Sequence, residues 1–259
     1  MVLRPIDGAA QKTDCIAVWD AILPTQKMQT REYWLITQAD HAGLSGDIAA
    51  GLGPPLLPRL SPEVVRAVAM HDDGWTPFDA NIELTEGRPC SFLDYPPPIF
   101  LRAWGNSIDS AERFAPIAGA TVSRHFWRLA KNRLESGPDG DDARALVRDF
   151  LAREQARQAR LLAGDSRREM EFLTDVLQFC DVLSLYLCCG AIADVELPQR
   201  FGGPPIRLRR QSAGARDQAA ICRFEPSPFS GGGVDLAVSA RRYPAANAAG
   251  IATLPFVLC

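Results

Sequence analysis

Apolar residues recur at helical spacing through the middle of the chain. One face of residues 38–52 carries positions i, i+3, i+7 and i+11, which are His41, Leu44, Ile48 and Leu52. Comparable patterns predict four more helices, over residues 61–73, 110–135, 141–163 and 166–190. The last of them begins with a capping box, Ser166-Arg-Arg-Glu169, directly before an apolar run. The pattern therefore places a histidine, His41, among the core positions of the first helix.

Strand signals lie on both sides of this helical region. Residues 13–37 contain short segments rich in β-branched and aromatic residues, and similar segments beyond residue 196 alternate with Gly and Pro. The fold class that we predict is mainly α, a helical bundle with a small β appendage formed by the N- and C-terminal segments. The predicted units are N-terminal strands over 1–37, a helical domain over 38–196 and a β-rich appendage over 197–259.

Two features predict close packing around the helices. Residues 74–109 contain five prolines and several large aromatic residues, so we expect an irregular stretch that packs as a lid or a pocket wall. Gly43 and Gly46 lie in the first predicted helix, where together they disfavour the helix by about 2 kcal/mol relative to alanine. We therefore expect another backbone or a ligand to approach the helix closely there.

The end of the second predicted helix breaks a local rule. Ser61 is a good N-cap and Pro62 suits the first turn, so this helix is expected to end near Gly74. Asp72 and Asp73 then lie in its last turn, where the helix dipole disfavours an exposed carboxylate by roughly 0.3–1 kcal/mol. A pair that also faces inward needs a cation to neutralise it, whereas the alternative interpretation is a solvated helix end.

The histidines and one further aspartate favour the interpretation that Asp72 and Asp73 face inward and are neutralised by a cation. All three histidines of the chain, His41, His71 and His125, are predicted to lie on the core side or inner end of a helix. Asp181 lies between leucines four residues away on either side, and a lone buried carboxylate costs several kcal/mol unless it is protonated, hydrogen-bonded or bound to a metal. Together with Asp72, these side chains predict a metal cluster. Imidazole and carboxylate ligands suit iron, zinc, manganese or a related divalent ion.

Composition narrows the class of partner. The 28 basic and 31 acidic residues are spread along the chain and give a net charge of −3, which argues against a nucleic-acid partner. Seven cysteines without a CxxC pair fit a reducing compartment, and the N-terminus lacks the apolar core of a signal peptide. The longest apolar run, residues 182–193, is too short to cross a bilayer. We therefore expect a cytoplasmic protein that does not bind membranes.

The order of the candidate ligands resembles a known superfamily. Four segments carry the likeness: Ile36-Thr-Gln-Ala-Asp-His-Ala, Ala69-Met-His-Asp-Asp-Gly-Trp, Val122-Ser-Arg-His-Phe and Asp181-Val-Leu-Ser-Leu. They resemble the HD superfamily of all-helical metalloproteins and, more narrowly, an uncharacterised bacterial family known chiefly as a domain of unknown function. The resemblance covers nearly the whole chain. It implies an HD-domain-like helical bundle.

The resemblance also implies a ligand set. The four core ligands of an HD site correspond to His41, His71, Asp72 and Asp181, and His125 would add a ligand for a second metal that Asp72 bridges. Dinuclear HD proteins usually have another histidine between the His-Asp pair and the final aspartate, and this chain has only one there. The implied cofactor is therefore one or two divalent ions per chain, with Fe, Mn, Zn, Ni and Mg as candidates.

HD proteins are mostly phosphohydrolases, so the resemblance implies hydrolysis of a phosphate ester of a small molecule or nucleotide by metal-activated water. Asp73 would act as general base or orient the water, and its alternative role is a hydrogen bond at the helix end. Arg124 and Arg128 would bind the anionic substrate, or else they are solvated surface residues. The sequence does not specify the oligomeric state and is compatible with a homo-oligomer.

Two other functions stay open. Some HD relatives bind two irons and oxidise an organic substrate with dioxygen, and the colour and iron content of the purified protein would identify this class. A third interpretation is a protein that keeps the metal but binds a small molecule or partner without turnover.

Overall fold

The computed structural model describes residues 1–6, 15–137, 139–162, 166–211, 219–244 and 250–259. Eight α-helices lie in these ranges: α1 (Val18–Lys27), α2 (Gln38–Gly51), α3 (Pro62–Ala69), α4 (Thr76–Asp79), α5 (Pro97–Phe114), α6 (Pro116–Ser136), α7 (Asp141–Leu161) and α8 (Ser166–Cys189). Ten strands accompany them: β1 (Val2–Pro5), β2 (Ile16–Ala17), β3 (Tyr33–Ile36), β4 (Leu84–Thr85), β5 (Arg88–Pro89), β6 (Val195–Leu197), β7 (Ile206–Arg210), β8 (Ala220–Glu225), β9 (Val234–Tyr243) and β10 (Ile251–Leu258).

Eight of these strands form one mixed sheet, in the order β1-β3-β9-β10-β8-β7-β6-β2. The pairs β10–β8 and β6–β2 are parallel, and the other neighbouring pairs are antiparallel. Helices make up 52% and strands 21% of the structure. The expected fold class, a mainly α, HD-like bundle with a small β appendage, is therefore wrong. The protein has an α/β fold, and the term all-alpha does not apply to it.

The sheet is larger than expected because its strands pair across long sequence separations. The N-terminal strand β3 pairs with β9, which lies some two hundred residues later, and Tyr33 is opposite Tyr243. Strand β9 alternates between buried and exposed residues, with Leu236, Val238 and Ala240 on the buried side. Helix α2 packs against β9 and helix α8 against β1, so the sheet forms one wall of the main core.

The largest of the three hydrophobic clusters in the described ranges draws residues from both ends of the chain and from its middle. It contains Val2 near the N-terminus, Ile48 and Leu183 on the central helices, and Leu258 near the C-terminus. The three units predicted from the sequence thus contribute to the same core.

Helix α8 passes through the centre of this core. Among the helices in the described ranges, α8 is the one whose length and composition would allow it to cross a membrane. However, 83% of its apolar window is buried inside the protein. This burial is consistent with the core helix of a soluble protein.

Helices α1 and α5 replace segments that were expected to be extended or irregular. The buried residues of α1 follow helical spacing and include Val18, Ala21, Ile22 and Thr25. Helix α5 begins at Pro97, inside the stretch expected to be irregular. Proline fits the first turn of a helix because its missing N–H would have no partner there.

Helix α3 ends earlier than expected, at Ala69, and the chain turns before Asp72 and begins a short 3-10 helix at Asp73–Trp75. Helix α2 packs tightly against this end of α3. A Cβ atom added to Gly46 would lie 2.5 Å from the Cβ of Ala69, whereas a Cβ added to Gly43 would meet open space. The predicted close approach is therefore confirmed at Gly46 but not at Gly43.

Candidate metal centre

Three buried side chains from separate elements converge at one point. They are His41 on α2, His71 in the turn after α3, and Asp181 on α8, and one ligand atom of each lies within 4.8 Å of the others. His41 Nε2 lies 3.0 Å and His71 Nε2 lies 3.6 Å from Asp181 Oδ1. Two imidazoles and a carboxylate at this spacing can hold a divalent metal ion.

The ring of His71 has one satisfied and one unsatisfied nitrogen. Nδ1 lies 2.8 Å from the carbonyl oxygen of Val68, to which it can only donate a hydrogen bond, so the lone pair of a neutral ring lies on Nε2. Nε2 is buried and has no hydrogen-bond partner in the described part of the protein. A buried polar atom without a partner costs about 1–3 kcal/mol, and coordination to a metal would remove that cost. His71 therefore fits a metal ligand by its tautomer as well as by its position.

A pair of serines holds the ring of His41. Ser184 Oγ lies in hydrogen-bonding contact with His41 Nδ1 and also 3.3 Å from the carbonyl oxygen of Asp181, and Ser45 Oγ lies 2.9 Å from Ser184 Oγ. A hydroxyl group accepts and donates at once, so Ser184 can accept from Nδ1–H of His41 and donate to the carbonyl. With Nδ1 protonated in this way, Nε2 would offer its lone pair to a metal ion that Asp181 Oδ1, 3.0 Å away, also binds. Supporting hydrogen bonds of this kind orient histidine ligands in metalloproteins.

Asp72 and His125 surround these three donors. Asp72 Oδ2 lies 3.6 Å from His71 Nε2 and 3.8 Å from His41 Nε2. His125, on α6, places its Nε2 atom 3.8 Å from Asp181 Oδ2, and its buried Nδ1 atom has no hydrogen-bond partner among the described residues. The structure thus brings together all five side chains that were predicted as metal ligands.

The electrostatics of the cluster favour a cation. Burial lowers the pKa of His71, but Asp72 and Asp181 act in the opposite direction and raise it to about 9. Burial raises the pKa of Asp72 to about 6, against the opposing effect of the two nearest imidazoles. Burial also acts to raise the pKa of Asp181, yet the adjacent imidazoles of His41 and His71 outweigh it and hold that pKa well below its usual range. The two carboxylates thus create a negative field at the point where the imidazole nitrogens meet.

His125 differs from His71 in this field. Burial lowers the pKa of His125 to about 3, because Asp181 offsets only part of the burial and His71 and Arg128 add repulsion. Its ring is therefore neutral at physiological pH and can offer a lone pair.

The cluster faces a cavity of about 390 Å³. His41, Asp72, His125 and Asp181 line part of it, and much of the remaining lining is aromatic. Five of the aromatic side chains form two contacting groups, Trp75 with Tyr95 and Trp104 with Phe100 and Phe126, and we call the five the aromatic wall: Trp75, Tyr95, Phe100, Trp104 and Phe126. A concave, mostly apolar site with a few converging polar groups is the usual form of a small-molecule site.

The other three predicted site residues lie outside the cavity. Asp73 is about half-buried, and burial raises its pKa while Arg66 and His71 oppose that rise. Arg124 and Arg128 face helix α8, where both form ion pairs with Glu171. The guanidinium groups expected to bind substrate are thus already paired with a carboxylate of the protein.

A family model that describes a protein of unknown function, DUF3891, matches residues 25–244, which is most of the chain. The chain belongs to the DUF3891 family. Searches of curated proteins and of solved structures found no match. The narrower resemblance, to a family of unknown function, is consistent with this result. The DUF3891 match gives no evidence for the HD superfamily, so the terms HD domain and hydrolase have no support from the comparisons.

Sequence reasoning missed several residues of this DUF3891 site. Gln38 lines the cavity three residues before His41, and its side-chain oxygen is buried without a partner among the described residues. Ser45 and Ser184 lie four and three residues after His41 and Asp181, on the same helix faces, and this spacing was the available signal. Arg133 also lines the cavity, but only its place one turn beyond Leu129 on α6 indicated that it faces inward.

Proposed function

We propose that this DUF3891 protein is a metal-dependent enzyme that hydrolyses a small molecule held in the cavity beside the cluster. One divalent ion would be bound by His41, His71 and Asp181. The observation that carries the proposal is the buried Nε2 of His71, which lacks a hydrogen-bond partner in the described chain and lies 3.6 Å from both Asp72 Oδ2 and Asp181 Oδ1. A metal ion satisfies all of these atoms at once.

The donor set favours a transition metal. Imidazole ligands suit zinc, iron, nickel and copper, whereas magnesium and calcium sites are built mostly from oxygen ligands. When bound, such an ion polarises a substrate oxygen and lowers the pKa of a nearby water molecule towards neutrality. Zinc, iron or nickel is thus a better fit than magnesium.

The remaining groups at the centre have roles in handling protons and excluding water. Asp72 lies beside the donors and lines the cavity, so its carboxylate can take a proton from the attacking water and return it to the leaving group. The oxygen of that water forms a bond to the electrophilic atom of the substrate, and the bond between that atom and the leaving group breaks. The buried Nδ1 of His125 can hold a hydrogen bond to the reacting group. The apolar walls keep other water molecules away, which strengthens these interactions.

We retain hydrolysis as the reaction, but we do not retain a phosphate ester as the substrate. Arg124 and Arg128 pair with carboxylates on α8 and do not line the cavity. Arg133 is the one lysine or arginine side chain among the described lining residues, and it forms a two-point ion pair with Asp139 at 2.6 and 2.7 Å. A doubly charged phosphate would find no unpaired cationic side chain there.

One observation favours a second candidate function. His41, His71 and Asp181 form a two-histidine, one-carboxylate set, which is the donor set of many non-haem iron oxygenases. The alternative is therefore oxidation of the bound molecule by dioxygen at an iron centre. It is distinguished from hydrolysis by its need for oxygen and a reductant.

Metal content and turnover together test the proposal. We expect the purified chain to contain about one equivalent of zinc, iron or nickel, and two equivalents if Asp72 and His125 complete a second position. The His71→Ala variant should bind metal at least about 100-fold more weakly and should lose hydrolysis of a panel of uncharged carboxylic esters and amides. The control is Asp175→Asn, which removes a charge from α8 away from the cavity. This variant should change neither metal affinity nor the rate of hydrolysis.

Two outcomes would contradict the proposal. One is a wild-type chain that takes up no transition metal, and the other is a His71→Ala variant with unchanged metal content. Turnover that stops under anaerobic conditions would favour the oxygenase instead.

A further inference from the structure

The aromatic wall and the charges around the cavity indicate a class of substrate. We propose that the cavity takes an uncharged small molecule with a flat aromatic body, which packs on the aromatic wall and presents its polar group to Gln38 and the metal centre. This inference rests on the proposed function for where the reaction occurs, and it adds what the site selects.

The first argument is the geometry of the aromatic wall. Trp104 and Phe126 are stacked, with ring centroids 5.0 Å apart and an interplanar angle of 19°, and Phe100 contacts Trp104 at 4.6 Å. Phe126 is buried, whereas Trp104 is only partly buried and lines the cavity with it. Such a surface favours a flat aromatic ring over a flexible chain, because aromatic pairs gain energy beyond the area that they bury.

The second argument is the balance of charge. A divalent ion would neutralise Asp72 and Asp181, and Asp139 already neutralises Arg133 through two hydrogen bonds. The described lining thus carries no uncompensated charge once the metal is bound. An ionised ligand would lose its hydration and find no unpaired lysine or arginine side chain among the described lining residues, which is unfavourable in an apolar cavity.

The third argument is the side-chain amide of Gln38, which lines the cavity. Gln38 is 3% exposed, and its Oε1 atom has no hydrogen-bond partner in the described structure. An amide oxygen accepts hydrogen bonds, so Gln38 can bind a hydroxyl or N–H group of a neutral ligand. A buried polar group without a partner discriminates strongly against ligands that cannot form a hydrogen bond with it.

Binding of two matched probes to the metal-loaded full chain tests the inference. Indole and indole-3-carboxylate share one aromatic body and differ in charge, so titration calorimetry measures the effect of charge directly. We expect indole to bind at least about 10-fold more tightly than the carboxylate. Tighter binding of the carboxylate, or no binding of indole, would overturn the inference.

Two pairs of variants locate the effect. Trp104→Leu keeps an apolar side chain but removes the ring, and should weaken indole binding about 5-fold or more, whereas Trp127→Leu, on the far side of α6, should not. Asp139→Asn frees Arg133 and should shift the preference towards the carboxylate by about 10-fold, whereas Asp175→Asn removes one of the two carboxylate partners of Arg128 outside the cavity and should not. Equal effects within either pair would contradict the inference.

Failure of this inference is distinguishable from failure of the proposed function. Selective binding of indole without turnover of any ester or amide would support the class of ligand and contradict the hydrolase. Turnover of anionic esters in preference to neutral ones would support the hydrolase and contradict the class of ligand.

Discussion

Helix α6 contributes to two clusters of charged side chains that differ in how well their members are matched. In the first, His125 faces the buried centre, where two imidazole nitrogens lack hydrogen-bond partners among the described residues. In the second, Arg128 donates to both Asp175 and Glu171 on α8. We call this second cluster the arginine network.

The difference supports our proposal that the buried centre is the functional cluster. In the arginine network Arg124 and Arg128 form ion pairs with Glu171 and Asp175 and are partly solvated, so their charges are paired without a ligand, although Nε of Arg124 is buried without a hydrogen-bond partner among the described residues. In the buried centre a bound cation would supply the contacts that are missing. Sequence alone suggested both clusters as functional, and the structure distinguishes them by how fully their charges are paired.

The largest expected effect comes from removing the shared carboxylate of the centre. Asp181→Ala should lower the free energy of unfolding by about 3–5 kcal/mol, because it leaves buried imidazoles without their counter-charge. It should also weaken metal binding by at least about 100-fold. Chemical denaturation and metal titration measure the two effects.

The matched control for Asp181→Ala is Asp175→Ala on the same helix. Its side chain is 47% exposed, and its loss should lower the unfolding free energy by less than about 1 kcal/mol. If the two variants are equally stable, the proposed difference between the clusters is incorrect.

A second effect tests the spacing of the elements that form the centre. Gly46→Ala should lower the unfolding free energy by about 1–3 kcal/mol, because the new methyl group would clash with Ala69 at the end of α3. The same clash should weaken metal binding by separating His41 from His71. Thermal unfolding and metal titration measure both results.

Gly43→Ala is the control on the same helix. Its methyl group would enter open space, so the variant should be stabilised by about 0.5–1 kcal/mol and should bind metal normally. A Gly46→Ala variant with the same behaviour would show that close packing of α2 on α3 does not control the centre.

The candidate centre could be predicted from sequence because each of its residues carried a local signal. His41 shares a helix face with apolar residues, and Asp181 lies between leucines one turn away in either direction. Helical spacing specifies which side chains face inward. With only three histidines in the chain, convergence was a direct expectation.

The sheet and the pairing of charges could not be predicted in the same way. Strand β3 pairs with β9 across most of the chain, and alternation within a strand does not specify its partner. Arg128 finds Asp175 forty-seven residues later, and nothing near either residue in the sequence indicates that contact. The cavity likewise requires α5 and α6 to be placed side by side before Trp104 meets Phe126.

A smaller effect is expected from Ser184, which is a positioning residue for His41. Ser184→Ala removes the hydroxyl that contacts His41 Nδ1 and should weaken metal binding by about 10-fold, with little change in stability. Ser184→Thr retains a hydroxyl and should restore part of the affinity. The control is Thr174→Val, which removes another buried hydroxyl of α8 and should leave metal affinity unchanged.

The smallest effect is expected in the arginine network. Arg128→Gln should lower the unfolding free energy by less than about 1 kcal/mol and should leave metal affinity unchanged, because Arg128 does not line the cavity. Burial acts to raise the pKa of Glu171, but Arg128 and Arg124 outweigh it and lower that pKa below the ordinary value of 4.5.

A carboxylate with a lowered folded-state pKa contributes stability above its unfolded value, and that contribution is lost as pH falls through the folded value. The stability difference between wild type and Arg128→Gln should therefore be complete at neutral pH and should shrink below the ordinary pKa of 4.5. Denaturant unfolding of both proteins across this range measures it. A loss of metal affinity in Arg128→Gln would instead place the arginine network within the site, because only a group that acts on the centre could weaken binding without a comparable loss of stability.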